Sequence, residues 1–148
     1  MEAVTVSMAK VSSVGKCFSE IRSMADALCG MIVDAANSGQ SLYDTEKATW
    51  DRVLQIGKEA MNALLQLQGN GDLGKSIVTD EEITLKRSSS PHDCRLRTIF
   101  GEHRFRQYVY ARGTNRKIEL RPIDVRLSLS PRICSYRSEE HTSELQSP

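Results

Sequence analysis

The stretch that decides the fold runs from Cys94 to Arg121 and reads CRLRTIFGEHRFRQYVYARGTNRKIELR. Apolar and polar side chains alternate along three segments of it, and turn formers at Gly101-Glu102 and at residues 113–115 separate these segments. A period of two is typical of β-strands with one buried and one exposed face. The stretch therefore predicts a three-stranded antiparallel β-meander, which Pro122 ends because proline cannot continue the strand ladder.

The predicted exposed face of this meander is basic. Its members are Arg95, Arg97, Arg104, Arg106, Tyr108, Tyr110, Lys117 and Arg121. Guanidinium groups bind phosphate oxygens through paired hydrogen bonds, and tyrosine rings between them can stack on bases. The pattern suggests a DNA-binding face. The candidate contact residues are Arg95, Arg97, Arg104, Arg106, Tyr108, Lys117 and Arg121. The alternative is a solvated sheet face whose arginines pair with carboxylates elsewhere in the protein.

The charges of the chain are unevenly distributed, although the formal net charge is only +1. Residues 86–132 contain 12 Lys and Arg against 4 Asp and Glu, whereas residues 1–85 contain 7 against 12. A basic segment beside an acidic one indicates a polyanion-binding surface on part of the chain.

Residues 14–68 show helical periodicity instead. The first predicted stripe contains Phe18, Ile21, Met24, Ala25, Leu28, Ile32 and Ala35, and the second contains Trp50, Val53, Leu54, Gly57, Ala60, Met61, Leu64 and Leu67. Apolar residues at spacings of three and four lie on one face of a helix. Ser41 and Asp44 have the spacing of a capping box, and glycines at 39 and 69 mark helix ends. The pattern predicts an αα-hairpin, which either forms homo-oligomers or packs on the protein's own sheet or on downstream structure that this chain does not contain.

The chain is therefore predicted to be an α+β protein, and an incomplete domain with disordered ends. We expect a disordered N-terminus over residues 1–13, a helical hairpin over 14–68 and a linker over 69–93. The turn-rich linker has room for one short strand around Ile83–Lys86. The basic meander follows over residues 94–127, and a disordered tail occupies 128–148.

Composition narrows the function classes. The sequence has no run of about 18 apolar residues that would indicate a transmembrane helix, and its start does not resemble a signal peptide. Four scattered cysteines, at positions 17, 29, 94 and 134, favour reduced thiols in the cytoplasm. His92, Asp93, Cys94 and His103 match no zinc spacing, so neither a metal nor another cofactor is expected. No nucleophile, base and orienting acid group together to indicate catalysis.

Two runs of the sequence resemble a known family. They are LRTIFGEHRFRQYVYARG (Leu96–Gly113) and KIELRPIDVRLSL (Lys117–Leu129). Their Arg-Thr-x-Phe-Gly, Arg/Tyr-rich and Pro-x-Asp segments are similar to the N-terminal region of ISKra-type insertion-sequence transposases. Upstream positions that also fit are Tyr43, Glu46, Ala48-Thr49-Trp50 and Gly71-Asp72-Leu73-Gly74. The resemblance extends over roughly residues 15–130.

The resemblance implies a cytoplasmic mobile-element protein that binds the ends of its own DNA. Its family's catalytic domain would be ribonuclease-H-like, with acidic residues that hold divalent metals, and would lie downstream. We therefore expect this chain to contain no active site. Asp124 belongs to the Pro-x-Asp segment and is not a catalytic carboxylate. Many relatives carry Cys-x-x-Cys in the second hairpin turn, but residues 112–116 here read RGTNR, so no zinc site is expected.

The last residues resemble something different. Residues 137–147 read RSEEHTSELQS, which resembles the in-frame translation of a sequencing adapter, so 137–148 are expected to be non-native. The alternative is a genuine polar tail. Three functional hypotheses follow from the sequence. The first is the N-terminal region of a truncated transposase that binds or positions DNA, the second is a module that scaffolds a missing catalytic domain, and the third is a fragment without function.

Overall fold

The computed structural model describes residues 8–129, with side chains from Val14 onward. In chain order the elements are α1 (Met8–Ser38), α2 (Leu42–Leu67), β1 (Ser76–Val78), β2 (Thr84–Arg87), β3 (His92–Thr98), β4 (Gly101–Gln107), β5 (Tyr110–Ala111), β6 (Ile118–Leu120) and α3 (Pro122–Arg126). A boundary after Leu67 divides the chain into a helical unit and a β-rich unit. The predicted α+β class, with a helical hairpin followed by antiparallel strands, is confirmed.

The two long helices begin and end where local chemistry requires it. The α1 helix ends with a left-handed glycine, Gly39 at φ +69°, and the Gln40 amide donates to the Ala35 carbonyl at 3.0 Å. Both features belong to the Schellman motif. The predicted capping residue Ser41 precedes α2, and its hydroxyl oxygen accepts a hydrogen bond from the Asp44 amide at 3.1 Å. The same hydroxyl donates to the Asp44 carboxylate at 2.9 Å.

The α1 helix begins earlier than the sequence indicates. It starts at Met8, inside the segment predicted to be disordered. Once a helix is nucleated, each further residue adds one backbone hydrogen bond, so the anchored turn at Val14 propagates towards the N-terminus. Residues 1–7, and residues 130–148 of the predicted disordered tail, lie outside the described residues.

The contact between the helices is narrower than the predicted stripes. Its buried centre consists of Val14, Cys17 and Ala63, with Phe18 and Leu67 packed at its edge. Because these central residues are small, they cover only a thin strip of each helix. The stripe prediction is therefore wrong for part of both helices. Its exposed members are Ala25 and Ile32 on α1, and Trp50, Val53 and Leu64 on α2.

The strands of the β-rich unit form two sheets. A four-stranded antiparallel sheet has the order β1-β2-β5-β6, and β3 pairs with β4 alone. The third strand of the expected meander, Ile118–Leu120, thus pairs with β5 in the other sheet. The alternation fails at Val109 and Tyr110, which are consecutive and both buried. The pairing register with β6 also shifts between Tyr110 and Ala111. Strands β4 and β5 are separate because β4 pairs with β3, whereas β5 pairs with β2 and β6.

The segment assigned as a linker contains the first β-hairpin. The strand expected around Ile83–Lys86 corresponds to β2, whose partner β1 was not predicted. The acidic run over residues 80–82 forms the turn, where Glu82 takes the left-handed φ of +62°. The Thr79 amide donates to the Ile83 carbonyl at 2.9 Å and closes this turn. Polar turn residues beside so short a strand are hard to distinguish from a linker.

Tyr110 is fully buried, which corrects its predicted place on the exposed basic face. Its hydroxyl accepts a hydrogen bond from the Leu73 amide and donates one to the Gly74 carbonyl, both at 2.7 Å. The loop before β1 is thereby attached to β5. Gly71 in this loop has a φ of +74°, and a Cβ placed there would lie 3.2 Å from the Tyr108 carbonyl oxygen. Only glycine satisfies both conditions without strain.

The short helix α3 is held by a side chain from β4. Arg121 at its N-cap makes no side-chain capping bond. Instead, the side-chain oxygen Oε1 of Gln107 accepts a hydrogen bond from the Ile123 amide at 2.9 Å.

Among residues 8–129, no helix combines the length and the apolar character needed to cross a membrane.

Candidate nucleic-acid interface

Strands β3 and β4 form a two-stranded ribbon with a charged outer face. Directly paired residues share a face, and the register pairs Arg95 with Arg104, Asp93 with Arg106 and Arg97 with Glu102. We call this outer face the arginine ribbon. Its members are Asp93, Arg95, Arg97, Glu102, Arg104 and Arg106. The structure therefore brings four of the seven candidate residues together on one surface.

The turn of the ribbon consists of Ile99 and Phe100, since Thr98 pairs directly with Gly101. The sequence placed the turn at Gly101-Glu102, which is wrong because both residues belong to β4. The Thr98 hydroxyl oxygen accepts the Phe100 amide at 3.1 Å and lies 2.7 Å from Nε2 of His103. These contacts fix the tip, where the Ile99 side chain is 88% exposed.

The inner face of the ribbon is buried and holds the arginine ribbon in place. Its buried members are Cys94, Leu96, His103 and Gln107. The Cys94 thiol is 2% exposed, and this burial raises its pKa to about 11. Gln107 donates from Nε2 to the Asp124 carboxylate at 2.9 Å and so joins β4 to α3. A strand anchored along its inner face presents its outer side chains in a defined row.

Ion pairs neutralise the arginine ribbon only weakly. Arg104 lies 3.4 Å from Glu102, and Arg106 lies 3.1 Å from Asp93. Both arginines are well exposed, and ion pairs in such positions contribute little because water and salt screen them. Arg97 forms no ion pair with any described residue. Four guanidinium groups against two carboxylates leave the surface positive.

The other three candidate residues lie away from the arginine ribbon. Tyr108 follows β4, and its ring packs under the Arg87 guanidinium, 4.8 Å from ring centroid to Cζ. Lys117 is exposed in the segment between β5 and β6, and Arg121 is half-buried before α3. The single basic face predicted from the sequence is thus divided between two sheets. It was divided because the prediction assumed that β4 and the final strand are neighbours.

One basic residue was missed by sequence reasoning. Arg87, at the end of β2, forms an ion pair with Asp72 at 2.8 Å. This pair holds the pKa of the Asp72 carboxyl below its usual value, with a further contribution from the Gly74 amide. The missed signal is the basic pair Lys86-Arg87 at the end of the strand expected around Ile83–Lys86. Both residues belong to the basic segment 86–132, but the predicted DNA-binding face was limited to the meander.

The described residues contain no group of three or more His, Cys, Asp or Glu side chains positioned to hold a metal ion. His92, Asp93 and Cys94 alternate along β3, so Asp93 points to the opposite face from its neighbours. Asp124 is buried against Gln107. Comparison with known proteins gives no match: no family model, no curated protein and no solved structure is significantly similar to this chain.

Proposed function

We propose that the arginine ribbon binds the phosphate backbone of DNA. The observation that carries this proposal is the direct pairing of Arg95 with Arg104 on the outer face. Like charges directly opposite each other destabilise a strand pair. An anion bound at the exposed Arg104 reduces this repulsion, and a guanidinium group can bind a phosphate through two hydrogen bonds.

The shape of the ribbon supports the same proposal. A two-stranded antiparallel ribbon is narrow enough to enter the major groove of B-DNA. Here no third strand within residues 8–129 pairs with β3 or β4. The outward arginines would reach phosphates on either side of the groove. Contacts of this kind provide affinity and position without reading the base sequence.

The test is a charge reversal on the ribbon. The double variant Arg104→Glu/Arg106→Glu should weaken binding of a fluorescent duplex by about tenfold or more, measured by anisotropy. The slope of log affinity against log salt should also fall by about one for each arginine that no longer binds a phosphate. Both residues are exposed, so folding should survive the change, which a circular dichroism spectrum checks.

The matched control is Arg22→Glu/Arg52→Glu, which reverses the same number of charges at exposed positions on α1 and α2. It should change the affinity much less than the ribbon variant does. Equal losses of affinity in the two variants would show that only total charge matters. An unchanged affinity in the ribbon variant would remove the arginine ribbon from the interface altogether.

The resemblance of the sequence motifs to those of transposases extends the proposal to a cellular role. We propose that this chain binds or positions the ends of a mobile DNA element in the cytoplasm, as the N-terminal region of an ISKra-type transposase. Support comes from the sequence motifs on β3, β4 and α3. A duplex copied from the ends of the encoding element should bind more tightly than a shuffled duplex of equal length. Equal binding of the two would reduce the role to general DNA affinity.

A second candidate is an interaction module that forms homo-oligomers through α2. Leu42, Tyr43, Trp50 and Val53 expose apolar surface there, and Trp50 is 61% exposed. Contiguous exposed apolar patches often mark protein contacts. The variant Trp50→Ser should shift the sedimentation of the chain towards the monomer, whereas Lys47→Ser on the same helix should not. A wild-type chain that sediments as a monomer at all concentrations would exclude this candidate.

A further inference from the structure

A second basic feature lies on the four-stranded sheet, apart from the arginine ribbon. A groove of about 570 Å³ opens between the end of β2 and the segment that joins β5 to β6. Lys86 and Arg116 provide cations from its two sides, and Ser89 and Thr114 provide hydroxyl groups. We call this the anion groove. None of the described residues that line it is an aspartate or a glutamate.

The charges around the anion groove favour an anionic ligand. Arg87 also lines the groove, and its guanidinium is paired with Asp72 at 2.8 Å and stacks on Tyr108. These two contacts hold the Arg87 side chain in place, and its charge is already neutralised by Asp72. Lys86 and Arg116 form no ion pair with any described residue. Their positive charges remain available to a ligand.

The acidic residue nearest in sequence to Arg116 is also already paired. Glu119 binds the Arg112 guanidinium at 2.8 Å. Glu119 and Asp72 are thus each paired with an arginine of the protein. The cations of the anion groove remain in excess over nearby carboxylates, and a groove with such an excess concentrates anions.

The remaining lining indicates which anion fits. Hydroxyl and cationic donors on two sides suit a tetrahedral phosphate, which accepts several hydrogen bonds at once. Ala111 and Ile118, both half-buried, line the groove as well and give it an apolar part. An apolar surface suits a sugar or a base face better than it suits a bare ion. We infer that the anion groove binds the phosphate of a nucleotide unit, with the attached nucleoside against Ala111 and Ile118.

This inference does not depend on the arginine ribbon. The two surfaces share no side chain, although His92 at the start of β3 also lines the groove. The phosphate could belong to a free nucleotide, to the end of a strand or to an internal phosphodiester. All three present the same group to Lys86 and Arg116, so the experiment has to separate them.

The experiment is an amide chemical-shift titration of the full chain with adenosine 5′-monophosphate and, separately, with inorganic phosphate. The nucleotide should shift amides of residues 86–89 and 113–116, and it should bind more tightly than inorganic phosphate. The double variant Lys86→Gln/Arg116→Gln should weaken binding by about tenfold, while Lys47→Gln/Arg52→Gln on α2 should leave it unchanged. Absence of these shifts up to about 10 mM nucleotide would overturn the inference.

The source of the phosphate is then identified with single-stranded oligonucleotides. Tighter binding of a 5′-phosphorylated strand than of its unphosphorylated form assigns the groove to strand ends. Equal binding of the two, still weakened by Lys86→Gln/Arg116→Gln, assigns it to internal phosphodiesters. If only the free nucleotide binds, the groove is a small-molecule site. Arg104→Glu/Arg106→Glu should retain nucleotide binding in every case, so failure of the ribbon proposal and failure of this one are distinguishable.

Discussion

The side-chain amide of Gln107 forms hydrogen bonds with both the carboxylate of Asp124 and the backbone of α3, the helix that contains Asp124. Nε2 donates to Oδ1 of Asp124 at 2.9 Å, and Oε1 accepts the Ile123 amide at 2.9 Å. Gln107 is fully buried and Asp124 nearly so. Because a buried carboxylate without a donor is costly, this pair determines how α3 attaches to β4.

Replacing Gln107 by leucine should destabilise the protein strongly. The substitution leaves the Asp124 carboxylate and the Ile123 amide buried without partners, at a cost of about 3 kcal/mol in the free energy of unfolding. Urea denaturation measures this change. The control Gln55→Leu, at an exposed position on α2, should be close to neutral. The double variant Gln107→Leu/Asp124→Leu should recover part of the stability, and no recovery would contradict the assigned pairing.

Removing the Tyr110 hydroxyl should release the loop that precedes β1. Tyr110→Phe retains the buried ring but leaves the Leu73 amide and the Gly74 carbonyl without their bonds. The free energy of unfolding should fall by about 1–2 kcal/mol, because the net value of a hydrogen bond is about 1 kcal/mol. Hydrogen exchange of the Leu73 amide should also accelerate. Tyr43→Phe changes an exposed ring and should alter neither the stability nor the exchange rate. Similar effects from both variants would refute the role of the Tyr110 hydroxyl in holding the loop.

Two glycines should respond to alanine in opposite directions. Gly71→Ala places a Cβ 3.2 Å from the Tyr108 carbonyl oxygen at a φ of +74°, and it should destabilise the protein by at least about 1 kcal/mol. Gly30→Ala lies in the interior of α1 with open space around the new Cβ, and it should stabilise by up to about 1 kcal/mol. Thermal melts of the two variants provide the comparison. A stable Gly71→Ala variant would contradict the close approach of the loop to β4.

Stability should depend on pH through Cys94. Burial raises the pKa of its thiol from an ordinary 9.0 to about 11, so the folded state holds the proton that the unfolded state has begun to lose. This contribution is fully present below about pH 9 and is lost as the pH rises towards 11. The free energy of unfolding should fall there by about 1.4 kcal/mol per pH unit more steeply in the wild type than in Cys94→Ala. Cys29→Ala, at an exposed position, should keep the wild-type slope.

Local patterns account for what was predictable from the sequence. The Ser41–Asp44 cap and the alternation along β3 and β4 depend on residues a few positions apart, and the structure contains both. The outer positions of Arg95, Arg97, Arg104 and Arg106 follow from that alternation. The turn was misplaced because Gly101, with a φ of +126°, is the first residue after the turn and not part of it.

Non-local pairing accounts for what could not be predicted. Besides its neighbour β1, strand β2 pairs with β5, and the hairpin β3–β4 lies between β2 and β5 in the chain. No periodicity within either strand indicates this pairing. The burial of Tyr110 likewise depends on a distant loop that provides partners for its hydroxyl. For the same reason, the anion groove, which β2 and the β5–β6 segment line together, has no signature in any one stretch of sequence.

The order of the strands along the chain has a consequence for the order in which they fold. The β3–β4 ribbon closes through a two-residue turn, whereas β2 can meet β5 only after the chain between them has returned. Closing a long loop costs more entropy than closing a short one, and a ribbon that has already formed shortens the loop that remains. The Ser88 amide donates to the Val109 carbonyl at 2.8 Å beside the β2–β5 pairing and therefore reports on it. We expect amides of β3 and β4 to gain protection before the Ser88 amide in a pulse-labelled refolding experiment. Earlier protection of the Ser88 amide would mean that β2 and β5 pair before the ribbon forms.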